Sequence, residues 1–426
     1  MLKTMGLVGF FLLTLGVPFV VTLFAMALIL ALIFFPDLDL SLLVGQVVSG
    51  IKPASLVCIP MFVLAGNIIT SGQSAKRLVS MIRAWVGHVH GGMPIVTNIA
   101  CTLFGAVSGS TCATVAAIGG TMRPMLLEAG YSSSFSLGLI INSSDIAWMI
   151  PPSIGFIVYG VANKVSVGKL FIAGILPGIL IAFLFSVFCY IYSRYYKIGL
   201  YPKASWKERI RTFREAILLF GFPVLILGGI YRGIFSVTEA AAFAVLYAVL
   251  LEGLVYKSIT LKKVIEVCMS TAMISGRTLI LVGGGQVLSW LLSYSGIYKE
   301  IMPYFFGTDP SFLRVIAVIS IVYFIACMFV DPIVVIFVLS PLFAPYIASS
   351  GVDKILVGVL VVLFGAIGTA TPPYGCDIFY AMVIFKRPYL EVIRMTWPFV
   401  IILVLSAVII IAFPGIATYL PRLAAL

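Results

Sequence analysis

Charge is scarce in this 426-residue chain, and so are the side chains on which most enzymes depend. Asp, Glu, Lys and Arg together make up 10% of it, and histidine occurs only twice, as His88 and His90 beside a Gly91-Gly92 turn. Soluble domains carry about 25% charged and about 45–50% apolar residues. Here 62% of residues are hydrophobic and the mean hydropathy is +1.18, which excludes a water-facing globule. The seven cysteines (Cys58, Cys101, Cys112, Cys189, Cys268, Cys327 and Cys376) stand singly, with no C-x-x-C pair to suggest zinc or redox chemistry. No metal site, nucleophile–base pair or catalytic dyad can be assembled from the spacing, so the chain is expected not to be an enzyme. Gly283-Gly284-Gly285 lacks the Gly-Lys-Ser/Thr ending of a phosphate-binding loop, which argues against an ATP-driven pump.

Long apolar runs are plentiful. A helix needs ~20 apolar residues to cross the ~30 Å hydrocarbon core. Met5–Phe35 contains no charged residue, and Phe171–Ser193, Ile217–Tyr231, Ala240–Leu251, Val315–Val330 and Val400–Ile416 are similar stretches. At this density the chain should hold roughly ten to twelve crossing or half-crossing segments. Ala25-Met26-Ala27 has the small-x-small form of a signal-peptidase site, but the apolar run continues to Phe35 and reads as a retained first helix.

The formal charge of +12 is concentrated in short connections. Arg194, Lys197, Lys203, Lys207, Arg209, Arg211 and Arg214 surround the single acid Glu208; Lys257, Lys262 and Lys263 form a second cluster, and Lys76, Arg77 and Arg83 a third. Lys/Arg-rich loops of this length lie on the cytoplasmic side. No aromatic-interleaved basic patch accompanies them, so they are topology signals beside anionic lipid headgroups and not a nucleic-acid surface.

Three landmarks occur twice at nearly one offset. Ser71-Gly72 and Ser295-Gly296 are 224 positions apart, the Ser108–Thr111 interruption precedes Asp331-Pro332 by 223, and Pro151-Pro152 precedes Pro372-Pro373 by 221. The chain therefore reads as two halves of one design, about 1–215 and 216–426. A Pro-Pro pair inside an apolar segment breaks the helical hydrogen-bond ladder and leaves carbonyls without partners. In hydrocarbon such backbone survives only where it is packed in protein or lines a cavity. Interrupted helices at matching places in two halves point to a transporter's central site, with free carbonyls suited to Na⁺ and helix N-termini to a carboxylate.

The expected sodium ligands are Ser108, Ser110 and Thr111 from one interruption, and Ser144, Asp145 and the backbone at Pro151 from the next, with Asn142 and Ser143 nearby. Asp331, Gly365, Thr369 and Thr371 come from the second half. The alternative for any single Ser, Thr or Gly is a small residue that lets helices approach closely. Asp331 is distinctive because Val315–Val352 contains no Lys, Arg or Glu, and a lone intramembrane carboxylate needs a cation, a proton or water. Thr114, Ser153, Pro372 and Tyr374 beside the breaks are candidate substrate contacts. Arg123 and Arg277 lie near the centres of apolar regions; Arg277 is a candidate bidentate partner for a carboxylate, and either arginine could equally snorkel to an interface.

The string Phe104–Gly119 (FGAVSGSTCATVAAIG), with Pro124 and Gly130-Tyr131, resembles the large membrane subunit of the tripartite ATP-independent periplasmic transporters. Met61–Gly66, Ile150–Ile154 with Tyr159-Gly160, and Leu170–Gly178 extend the resemblance, which runs from about residue 5 to 420. It implies an all-α polytopic protein of the bacterial inner membrane, with two inverted repeats, broken helices and two re-entrant hairpins near 108–127 and 330–348. Scaffold helices would lie near 1–60, 170–260 and 389–420, and a transport domain would slide against them as an elevator. It also implies Na⁺ as coupling ion and no organic cofactor. The partners would be a small four-helix membrane subunit and a periplasmic substrate-binding protein. The implied substrates are carboxylates of the sialic acid or C4-dicarboxylate class, with general similarity leaning toward sialic acid. Asn142–Trp148 departs from the family's usual Gly-rich stretch before the first Pro-Pro, which bears on substrate selection. A binding-protein-independent, ion-coupled organic-anion exchanger or antiporter of similar build is the alternative.

Overall fold

Apolar segments punctuated by Ser, Gly and Pro can satisfy their backbone in lipid only as helices, and the start of several is marked by a hydroxyl or carboxylate. Ser132, Ser153, Ser166, Ser205, Ser236 and Ser311 each accept a backbone N–H from the turn they precede, and Asp331 and Asp353 do the same. The structure, a computed structural model, describes residues 1–198, 201–307 and 310–424. The described residues are helical throughout, with no strand among them. Seven helices are long and apolar enough to cross a membrane, or eight if the pair Trp397–Ala412 and Gly415–Leu423, bent by 59°, forms one span. Shorter apolar helices stand beside them, among them Gly92–Ser108, Ile154–Asn163, Lys354–Thr369 and Cys376–Phe385, so the expected crossing and half-crossing segments are both present.

The first apolar run differs from expectation. It is two helices, Leu2–Thr14 and Phe19–Phe34, because Gly16 turns through a positive φ of 75° and Pro18 starts the second.

The paired landmarks occupy corresponding places in the two halves. After Ser71 come the helices Ser74–Val86, Gly92–Ser108, Thr111–Glu128 (carrying a π turn at Val115–Gly119), Ser133–Asp145 and Ile154–Asn163. After Ser295 come Ile297–Phe306, Phe312–Phe329, Pro332–Ser349, Lys354–Thr369 and Cys376–Phe385. The last member of each series ends on a lysine with left-handed backbone, Lys164 (φ 54°) and Lys386 (φ 50°), 222 positions apart. Gly92–Ser108 packs along Thr111–Glu128, and Phe312–Phe329 along Pro332–Ser349. The ranges 108–127 and 330–348 thus hold only the tip and second arm of each helical hairpin; the first arms are Gly92–Ser108 and Phe312–Phe329.

The three basic clusters meet at one end of the molecule. The Arg77 guanidinium stacks 4.0 Å over the Tyr256 ring, next to Lys257, and Arg77, Lys207, Arg211 and Arg214 line one open cavity of about 800 Å³. Arg209 is buried there, donating from Nε to the Ala84 carbonyl at 3.1 Å and lying against Trp85 and Trp206. Beneath them, buried Glu252 accepts the backbone N–H groups of Gln73 (3.0 Å) and Ser74 (3.1 Å) and the hydroxyls of Ser74 and Ser258. A carboxylate at the N-terminus of Ser74–Val86 satisfies orphan donors and complements the helix dipole.

Candidate transport site

The first hairpin tip is a closed turn of hydroxyls. Gly109 takes a left-handed φ of 58°, and Ser110 caps the next helix by accepting the Ala113 N–H at 3.4 Å. Thr114 Oγ1 donates to the Ser110 carbonyl at 2.8 Å and lies 3.2 Å from Ser108 Oγ. A Cβ at Gly109 would stand 2.4 Å from the Pro152 carbonyl oxygen, so the tip is seated on the first Pro-Pro break and only glycine fits. Beyond that break Ser153 caps Ile154–Asn163 and donates to the Trp148 carbonyl at 2.5 Å.

The second tip is built the same way from different residues. Asp331 Oδ1 accepts the Ile333 N–H at 2.9 Å, and Pro332 opens the helix. The break at Pro372-Pro373 is tied to the hairpin's first arm by the Gly375 N–H, which donates to the Met328 carbonyl at 3.1 Å. Both Pro-Pro bonds are cis. Thr369 and Thr371 donate to the carbonyls of Ala366 (2.8 Å) and Ile367 (2.5 Å), and Gly365 lies between Pro332 and the Trp148 ring. Trp148 belongs to the first half, so the two halves interlock here.

Asp377, which sequence reasoning did not single out, ties them. Its Oδ1 accepts the Thr111 hydroxyl at 3.0 Å and lies 3.6 Å from Cys112 Sγ; its carboxyl faces that of Asp145 with Thr369 alongside. Thr111, Asp145 and Thr369 are therefore brought together with Asp377, while Ser108, Ser110 and Thr114 form the separate tip turn. Ser144 lies next to this group but spends its hydroxyl on the Ile140 carbonyl at 2.7 Å and faces Cys101. Pro151 and Pro372 are buried in the breaks, and Tyr374 is 55% exposed at the lip above Asp377. Arg277 is not drawn in: it sits on the exposed face of Leu261–Tyr294 and makes no hydrogen bond or ion pair among the described residues. Arg123 donates to Ser133 at 2.9 Å and lies over the Phe385 ring, a structural use.

Two hairpin tips and two Pro-broken helices meeting around buried hydroxyls and carboxylates define a multi-pass membrane transporter, not an enzyme. The family profile described as "Tripartite ATP-independent periplasmic transporter, DctM component" matches residues 7–416, and the chain belongs to that family. It is 51% identical to the ectoine/5-hydroxyectoine TRAP transporter large permease protein UehC of Ruegeria pomeroyi, over 100% of this chain and 99% of the relative. It is equally 51% identical to the ectoine TRAP transporter large permease protein TeaC of Halomonas elongata, over 97% of each chain. The sialic acid permease SiaM of Vibrio cholerae is similar at 30% identity over 89% of this chain and 88% of that one. The lean toward sialic acid is thus overtaken by nearer relatives named for another solute. The solved structure of the YdaH transporter of Alcanivorax borkumensis is alike in fold (TM-score 0.61, 15% identity, 89% and 88% of the two chains). The chain is the large permease component of a secondary transporter and a multi-pass protein of the inner membrane.

Proposed function

We propose that this chain is the transport path of a Na⁺-coupled importer for an ectoine-class solute, a small cyclic zwitterion with one carboxylate and one delocalised cationic N–H face. A periplasmic binding protein delivers the solute, and a small membrane subunit braces the scaffold. The 51% identity to two permeases named for ectoine carries the substrate reading. The sodium reading is supported by the tip geometry. Na⁺ is a hard cation that takes oxygen ligands, and each tip offers hydroxyl or carboxylate oxygens beside broken backbone: Ser108, Ser110 and Thr114 in one half, Asp331, Thr369 and Thr371 in the other. Each hairpin would move as a rigid piece with its Pro-broken helix, which suits an elevator motion of the interlocked centre against the outer helices.

The test is uptake of labelled ectoine into proteoliposomes holding this chain and its small membrane partner. Uptake that needs both the loaded binding protein and an inward Na⁺ gradient, and fails with K⁺, is the expected result. Uptake without the binding protein would favour the exchanger alternative instead.

A further inference from the structure

Asp145, the last residue of Ser133–Asp145, meets Asp377 at the start of Cys376–Phe385. We propose that these two carboxylates form the subsite for the positively charged N–H face of a zwitterionic substrate, and so select a zwitterion over a plain carboxylate. The inference rests on the ectoine-class reading and deepens it.

Both side chains are buried, Asp145 at 1% and Asp377 at 0% exposure. Asp377 Oδ1 has the Thr111 hydroxyl as donor, but among the described residues Asp377 Oδ2 and both oxygens of Asp145 have none. Asn142, one turn earlier and therefore on the same helix face as Asp145, is fully buried and also leaves its Oδ1 without a donor. Among the described residues no lysine or arginine makes an ion pair or hydrogen bond with either carboxylate. Buried charge of one sign is tolerated only when a cation or a proton joins it; the penalty is several kcal/mol per ion. An open row of acceptors with no donor among the described residues is therefore a demand for a proton or a cation, and a cationic donor group supplies both the charge and the hydrogen bonds.

A planar, delocalised cation with two N–H groups on one edge meets that demand, because it can donate to both carboxylates at once while its charge offsets theirs. The substrate's own carboxylate would be repelled from the pair and left to the hydroxyls and backbone of the tips, which fixes its orientation. A dianion would find no favourable place here, and such repulsion is how a site rejects the wrong ligand. The pair lies close to the surface in the chain: Cys112, partly exposed, stands 3.6 Å from Asp377 Oδ1, and Tyr374 and the neighbouring Cys376 are exposed.

The test is equilibrium binding of labelled ectoine, in saturating sodium, to the purified chain with its small membrane subunit, for wild type, Asp145→Asn and Asp377→Asn. Each substitution keeps the shape and removes like-charge repulsion, so thermal stability should hold or rise, and a thermal scan checks it. The expected result is ectoine affinity weakened at least about tenfold in each variant, with half-saturating sodium unchanged; loss of a hydrogen bond to a charged group is of this size. As a second readout, ectoine should protect native Cys112 from a thiol reagent in wild type in a Cys268→Ser, Cys376→Ser background, and fail to do so in either Asn variant. Wild-type ectoine affinity in both variants overturns the inference. So does intact ectoine affinity with raised half-saturating sodium, which would make the pair a coupling-ion site, or with an altered pH profile, which would make it a proton site. No ectoine binding by wild type overturns the substrate reading itself, and this inference with it.

Discussion

Thr111 donates its hydroxyl to Asp377 at 3.0 Å, joining residues 266 positions apart and locking the first hairpin tip to the second Pro-broken helix. A hydrogen bond to a charged group in a buried site contributes about 1.5–3 kcal/mol. Thr111→Val should therefore cut the initial rate of uptake by about tenfold or more, and Thr111→Ser should restore most of it. An unaffected valine variant would mean that the two halves do not depend on this bond.

Gly109 carries the seat of the first tip. With a φ of 58° and a Cβ that would stand 2.4 Å from the Pro152 carbonyl, Gly109→Ala must push the tip off the break. We expect near-complete loss of uptake and a lower melting temperature in detergent. Gly120→Ala is the control: its Cβ would meet nothing within 4 Å, and in a helix it should be neutral or slightly stabilising.

Asp331 and Asp353 perform the same local task. Each caps a helix by accepting a backbone N–H two residues on, at 2.9 Å and 2.8 Å. Replacing either by Ala removes about 1 kcal/mol of capping. Only Asp331 stands at a tip, so only Asp331→Ala should also raise the sodium concentration for half-maximal uptake, by about tenfold or more. Equal sodium dependence in the two variants would reduce Asp331 to a cap.

The convergence of the three basic clusters at one end predicts the topology. Ser205 is exposed within the longest of them. A cysteine placed there should resist a membrane-impermeant thiol reagent in intact cells and react after permeabilisation. Rapid labelling in intact cells would put that end outside.

The all-helical membrane build was legible because long apolar runs leave helix as the way to satisfy the backbone, and the breaks were legible because Pro-Pro pairs and Gly-Ser turns act on the backbone locally. The hairpin bounds were less legible: Gly92–Ser108 and Phe312–Phe329 are uniformly apolar and carry no mark that distinguishes an arm from a span. Asp377 was missed although it is a lone acid in an apolar helix, the same signal that singled out Asp331. The partner that gives it a role, Thr111, lies 266 positions away, and only the fold shows the side chain turned inward to it. Arg277 could be read two ways from the sequence, as a carboxylate partner or as a snorkelling surface cation. Its place mid-segment suggested a buried partner for a carboxylate, yet long cations at the protein surface need none, and a one-dimensional pattern does not say which face of a 34-residue helix is covered.

We propose above that the interlocked tips bind Na⁺ as the coupling cation. Equilibrium binding of radioactive sodium to the purified chain, without substrate, tests it most directly. The expected result is saturable sodium binding that excess potassium does not displace and that weakens in Ser110→Ala and Asp331→Ala while Asp353→Ala retains it. Sodium binding no greater than a potassium-competed background in a well-folded wild type would contradict it.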